Sequence, residues 1–230
     1  MGEIKNGFIR AFQLIVSFDP ELYEIIIRSL FVSLSAVIIS ALFCIPFAIW
    51  LGLKRFKGKQ IVSRLLYASM STPSVVIGLI ILLLLSRKGP LGFAGLLYTT
   101  MAMIIAQTVL VSPLVLGLTY HTVKLRGRQI QHEGLLLGAN SFQIIVLIIR
   151  ELKMDFLVHL IAGFSRAISE VGAVMIVGGN IRGVTRVMTT TIALMNSMGE
   201  YDMAIALGVV LLLISLIVNS IVYKETEPWK

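Results

Sequence analysis

At 230 residues, 57% hydrophobic and 14% charged, with a mean hydropathy of +0.92, the chain is too apolar to be covered by water; an average soluble domain is about 25% charged. Its formal net charge of +8 would suit nucleic acid, but the basic residues cluster beside apolar runs, where they orient a membrane protein instead. The one cysteine, Cys44, lies within an apolar run, which excludes both a disulfide framework and a cysteine-based metal cluster.

Residues 4–18 are apolar but too short to cross about 30 Å of hydrocarbon, and they read as an amphipathic segment in the interface. Asp19-Pro20-Glu21 then makes a helix start, with acidic side chains near the positive helix end. Leu30 to Leu53 is uncharged and, at about 1.5 Å per residue, roughly 36 Å long, enough to span. It comes too late, is too long and lacks an Ala-x-Ala exit, so it is expected to stay in the mature protein. Ala36, Ser40, Cys44 and Ala48 recur every fourth residue. They are either a ridge that lets another helix approach closely or small residues of the kind frequent in such helices.

The basic run Lys54 to Lys59 ends this span, and Ile61 to Ser86 forms the second, with Arg64 close enough to its end to snorkel. Thr72-Pro73-Ser74 sits mid-span, where a missing backbone donor predicts a kink. The flanking hydroxyls either satisfy the loosened backbone or face a path through the membrane. After a turn at Arg87-Lys88-Gly89-Pro90, Leu96 to Tyr120 is the third span, with Ser112-Pro113 inside it. Residues 121–153 form the longest polar connection. Phe156 to about Gly179 is the fourth span and carries His159, Arg166 and Glu170. Asn180 to Asp202 is polar apart from Val187 to Met198, too short to cross but able to dip in as a half-helix. Met203 to Tyr223 is the fifth span, and Lys224 to Lys230 closes the chain.

The expected fold is an all-α polytopic membrane protein of about five helices, with a sixth crossing near either end left open. One domain covers residues 1–230: an N-terminal interfacial segment (1–29) and a transmembrane core (30–223) holding the 121–153 connection. Alternating sides place twelve Lys/Arg with residues 54–64, 121–153 and the tail, against seven on the other side. The positive-inside rule then puts 121–153 and the C-terminus in the cytoplasm and the N-terminus outside.

Two stretches carry chemistry. Gln131-His132-Glu133-Gly134-Leu135-Leu136-Leu137-Gly138-Ala139-Asn140 reads as a short amphipathic helix closed by Gly-Ala-Asn. Three consecutive leucines are costly in a free polar loop. They suit either a knob seated in a groove on another protein or a helix on the membrane surface. In the fourth span, Arg166 and Glu170 are four residues apart and can pair on one helix face. A charge at the bilayer centre costs about 2.5–3.5 kcal/mol on insertion scales, so the pair is expected to face protein or a cavity. It is either a neutralised structural pair or an aid to a passing anion. Gly172, Gly178 and Gly179 permit close packing or an unwound helix end whose amides suit an oxyanion. His159 reads as a hydrogen-bonded helix contact or a pore residue. The chain has no Gly-x-x-x-x-Gly-Lys-Ser/Thr phosphate loop, no His-Glu-x-x-His and no Gly-x-Ser-x-Gly elbow, and no enzyme site is read.

The leucine segment resembles the coupling motif of ATP-binding-cassette importer permeases: Glu-Ala-Ala, three residues, Gly, nine residues, Ile, one residue, Leu-Pro. Gly138 falls on its glycine, Ile148 on its isoleucine and His132-Glu133-Gly134 on Glu-Ala-Ala. Histidine stands at the glutamate position, and Arg150-Glu151 replaces Leu-Pro. The run from Arg166-Ala167-Ile168-Ser169-Glu170-Val171-Gly172-Ala173-Val174 through Gly179-Asn180-Ile181 to Gly183-Val184-Thr185-Arg186 resembles the molybdate and tungstate branch of that family, the tungstate-type permeases most. The resemblance implies the type I importer permease fold in a prokaryotic cytoplasmic membrane. It implies a second copy of the chain, cytoplasmic ATPase subunits that use ATP and magnesium, and an extracytoplasmic oxyanion-binding protein. No cofactor is expected in this chain, and no nucleic acid partner. The coupling residues would be His132, Glu133, Gly134, Leu135, Leu136, Leu137, Gly138 and Ala139. The pathway candidates are Thr72, Pro73, Ser74, Ser165, Arg166, Glu170 and Gly172. Rival readings are a permease for sulfate or another anion, a gradient-driven transporter, and a membrane scaffold.

Overall fold

The computed structural model describes Phe8, Ile9 and residues 12–226. Residues 4–7, 10 and 11 of the expected interfacial stretch, and 227–230 of the tail, lie outside the described residues. Among the described residues all regular structure is helical. Three helices are long and apolar enough to span, or five if each of two bent pairs counts as one span.

Helix α1, Pro20–Leu53, starts as the sequence predicts: Asp19 accepts from Leu22 N at 2.9 Å, and Pro20 follows. It begins ten residues before the uncharged run, taking in part of the segment assigned to the interface. Glu21, Glu24 and Arg28 are tolerated because each has an ionic partner. Leu22, Ile25 and Ser29 on the same stretch are buried.

The small residues of α1 do form a contact ridge. Ala36, Ser40, Cys44 and Ala48 are all buried where α1 lies along α4, Thr100–Thr122. There Ser40 Oγ lies 3.1 Å from Ser112 Oγ and 3.3 Å from Thr108 O. Pro113 does not break α4, and Ser112 Oγ donates to Thr108 O at 2.7 Å near the proline.

The second span is not one kinked helix. It divides into α2, Lys59–Met70, and α3, Ser74–Leu85, which meet at 96°. Pro73 holds extended backbone (φ −62°, ψ 131°), and no α-helical hydrogen bond crosses Thr72. The fourth span divides likewise, into α7, Lys153–Ile168, and α8, Gly172–Gly178, at 58°.

The connection expected at 121–153 is helical almost throughout. After α4 the helix widens into a π-helical turn, Val123–Gly127, and continues as α5, Arg128–Leu136. Gly138 in the left-handed region (φ 80°) reverses the chain. Asn140 and Gln143 then form a reciprocal cap on α6, Ser141–Glu151. The predicted closure by Gly-Ala-Asn is therefore observed, on a helix joined rigidly to the preceding span. The half-helix at 187–198 is α9, Met188–Met198, and the last span is α10, Tyr201–Thr226.

Contacts match the predicted grouping of the N-terminal arm with 180–202 and of 54–64 with 121–153. At one end, Arg182 and Arg186 both pair with Glu21, and Arg28 donates to Gly183 O at 2.8 Å. At the other, Lys59 and Lys124 approach the same Tyr120 ring, and Arg126 pairs with Asp155 at 2.7 Å.

Candidate functional site: paired helix breaks and an exposed leucine turn

The two breaks lie side by side. Helices α3 and α8, which follow them, pack against each other along their lengths. Gly78 and Gly172 permit the approach: a methyl on Gly78 would lie 2.8 Å from Ala173 Cα, and one on Gly172 would lie 2.8 Å from Val75 Cγ2 and 3.2 Å from Ser74 Oγ. The structure thus joins Pro73 and Ser74 of the first break to Glu170 and Gly172 of the second, two spans that the sequence alone could not pair.

Glu170 is placed by the break, not by a helix face. The expected i, i+4 ion pair of Arg166 and Glu170 forms, but across the end of α7, which stops at Ile168, and not on one helix face. Glu170 Oε1 accepts from Ala173 N at 3.1 Å, capping α8, and Thr189 donates to the Glu170 carbonyl at 2.7 Å. Arg166 Nη1 still approaches Glu170 Oε2, at 3.6 Å, too long for a hydrogen bond. The two side chains differ in setting: Glu170 is 3% exposed and Arg166 41%. Glu170 is thus a fixed, hydrogen-bonded group, while Arg166 presents its guanidinium at an accessible surface near the breaks. Ser165 Oγ is buried and finds no hydrogen-bond partner among the described residues.

His159 sits away from the breaks. Its Nδ1 lies 3.2 Å from Thr119 Oγ1 and its Nε2 3.3 Å from Thr122 Oγ1, the hydrogen-bonded contact between α4 and α7 that the sequence suggested. An open groove of about 720 Å³ between α1 and α7 is lined by apolar side chains such as Val37, Ala41, Leu160 and Phe164. An oxyanion there would lose its hydration with nothing in return, so this groove is no anion path.

One more cluster secures the breaks from the end opposite Tyr120. The chain after α8 turns through Gly179 and Asn180, both in the left-handed region, and Thr185 Oγ1 donates to Gly178 O at 2.6 Å. Thr190 Oγ1 donates to Asn180 Oδ1 at 2.9 Å, and Ser29 accepts from Met188 N at 2.8 Å, capping α9 from across the sequence. Glu21 holds Arg182 fully charged by hydrogen bond and Coulomb attraction, raising its already high pKa. Ser29 and this ion network were not legible beforehand beyond opposite charges in two separate polar stretches.

The leucine turn occupies the other end of the bundle. Gly134 is buried against Ile144 and Leu147 of α6, which sets α5 down on α6. Leu135, Leu136 and Leu137 then project outward, 55%, 74% and 87% exposed. His132, Glu133 and Ala139 flank them, and Gln129 donates to Glu133 at 2.9 Å. Three exposed leucines on a capped turn form an apolar contact surface.

Residues 44–224 match the family described as "Binding-protein-dependent transport system inner membrane component". Among curated proteins, the chain is 56% identical over 227 residues to the tungstate uptake system permease protein of Peptoclostridium acidaminophilum, covering 99% of this chain and 100% of that one. It is 33% identical over 224 residues to the tungstate uptake system permease protein of Campylobacter jejuni, covering 96% and 92%. Likeness to the sulfate transport system permease protein CysW of Escherichia coli K12 is 28% over 221 residues, covering 91% and 75%.

Proposed function

Because the chain belongs to the family of binding-protein-dependent transport system inner membrane components, we propose that it is the permease of a tungstate importer driven by ATP hydrolysis in partner subunits. The observation that carries the substrate is likeness over nearly the whole chain to a tungstate uptake permease, at twice the identity of the sulfate permease. Two copies form the pore in the cytoplasmic membrane, with the leucine turn and the C-terminus on the cytoplasmic side. His132 to Ala139 dock on a nucleotide-hydrolysing subunit, with Leu135, Leu136 and Leu137 as the knob.

Closure of those subunits around ATP draws the docking turns together and opens the pore outward, where a loaded binding protein delivers its anion. The work comes from the different affinity of ATP for the two states, as any ligand-driven switch requires. The anion passes the paired breaks at Thr72, Pro73, Ser74, Ser165 and Gly172. Arg166 supplies attraction there, partly offset by Glu170 nearby. A weak site suits passage, because a strong one would hinder release. ATP and magnesium belong to the partner, and this chain holds no cofactor.

The test is uptake of labelled tungstate, molybdate and sulfate into vesicles holding the permease, its candidate ATPase and its binding protein. ATP-dependent uptake with tungstate preferred is expected. Uptake that needs no ATPase would make the chain a gradient-driven transporter instead.

A further inference from the structure

We propose that Gly52, Val123 and Gly127 form the joint through which a displacement of the α5 docking turn is handed to α1, and so to the far end of the bundle. The proposal rests on the reading of α5 as the docking segment and names the positioning residues that make docking productive.

No flexible link separates the docking turn from a span. Thr122, Val123, Gly127 and Arg128 all hold helical backbone angles, so α4, the π-helical turn and α5 run on as one body. A π-helical turn inside a helix tends to mark a functional position. Here it lies at the junction between the membrane-spanning part and the part that reaches the motor.

Val123, on that turn, is fully buried and belongs to a core cluster that draws in three other helices: Ile49 of α1, Ile144 and Ile148 of α6, and Phe156 of α7. Two glycines make room for it. A methyl on Gly52 of α1 would lie 2.6 Å from Val123 Cγ1 and 3.0 Å from its Cβ. One on Gly127 would lie 2.8 Å from the same Cγ1 and 3.7 Å from Leu53 of α1. Neither glycine has a positive φ, so neither is needed for an unusual backbone. Glycine is disfavoured inside a helix, and space is the reason left for having it at both positions.

The joint reaches further than α1. Lys59 Nζ donates to Gly52 O at 2.8 Å and to Lys54 O at 2.7 Å, tying the end of α1 to the start of α2, which leads to the break at Thr72. At its other end α1 carries Arg28 and Ser29, which hold Gly183 and Met188 beyond the second break. A push on α5 is thereby passed to both breaks along packed helices. Such contiguous contact with few alternative arrangements is what carries coupling between distant sites.

The experiment uses the whole complex in vesicles: permease, ATPase and binding protein, with tungstate as the transported probe. Gly52→Ala and Gly127→Ala are expected to lower uptake per ATP hydrolysed by roughly 2- to 30-fold, the range found for residues that modulate coupling. The ATPase should still co-purify, because the docking surface is untouched. Val123→Ala removes Cγ1, the nearest atom the new methyl would strike, and leaves only the Cβ at 3.0 Å, so Gly52→Ala/Val123→Ala should recover part of the coupling lost in Gly52→Ala. Full coupling in Gly52→Ala, or no recovery in the double variant, overturns the joint while leaving the docking reading intact. Loss of ATPase co-purification in Gly52→Ala also overturns it, since the glycine would then serve assembly. Wild-type uptake without ATP would instead overturn the reading on which the joint rests.

Discussion

At the scale of single residues, Glu170 shows how a charge inside a membrane protein is held. Its carboxylate accepts the Ala173 amide at 3.1 Å, while the guanidinium of Arg166 stays 3.6 Å away on a side chain that is partly exposed. The hydrogen bond should therefore outweigh the ion pair, since an accessible partner is screened. Glu170→Ala leaves a buried amide unsatisfied and should cost about 1–3 kcal/mol. Glu170→Gln keeps an acceptor and should cost less, and Arg166→Gln least of all. Thermal unfolding of the purified chain in detergent gives the order directly; an Arg166→Gln loss as large as that of Glu170→Ala would put the ion pair first. Ser29 supplies a second case: without its hydroxyl the Met188 amide has no cap, and Ser29→Ala should cost about 1 kcal/mol in the same measurement. Neither role was legible in the sequence. The spacing of Arg166 and Glu170 suggested contact but not which atom of Glu170 matters, because that depends on where α7 stops.

At the scale of elements, the spans were legible and their interruptions only half so. Apolar run length marked five segments, and the Asp19-Pro20 start, the Gly138 reversal and the Asn140 cap follow from local chemistry. Pro73 promised a kink, but a proline alone cannot dictate the 96° between α2 and α3. That angle is held by contact with α8, far along the chain, through the bare glycine faces at Gly78 and Gly172. Polarity likewise disguised 121–153 as a loop: its lysines and arginines are compatible with helix, and only burial of Val123, Gly134, Ile144 and Ile148 reveals the packed face. The packing of α3 on α8 makes its own prediction. A methyl at Gly78 meets backbone at Ala173, which cannot rotate away, so Gly78→Ala should cost about 1–3 kcal/mol as an overpacked contact. Uptake should fall with it, since the breaks would be forced apart. A variant with unchanged unfolding temperature and uptake would mean that the two helices separate freely.

At the scale of the whole molecule, the bundle has two ends of different character, and their assignment to the two sides of the membrane decides how the transporter runs. One end carries the Glu21, Arg28, Arg182 and Arg186 network over the breaks; the other carries the leucine turn and Lys54, Arg55, Lys59, Lys124 and Arg128. Basic residues favour the cytoplasmic side, which is where the proposed ATP-hydrolysing partner would meet the leucine turn. The single cysteine makes this measurable, because Cys44 is buried and leaves little background for thiol labelling. Leu136→Cys should react with an impermeant maleimide only in vesicles that expose the cytoplasmic face, and labelling from the outer face would reverse the scheme. The same turn then separates docking from folding. Leu135, Leu136 and Leu137 are all mostly exposed, so changing all three to serine should move stability by about 0.5 kcal/mol or less per residue. Yet if they are the knob, that variant loses the ATPase on co-purification and with it all ATP-driven uptake. A stable variant that keeps its ATPase would shift docking onto the flanking polar residues His132 and Glu133, where this chain departs from the glutamate-first motif of the importer permeases.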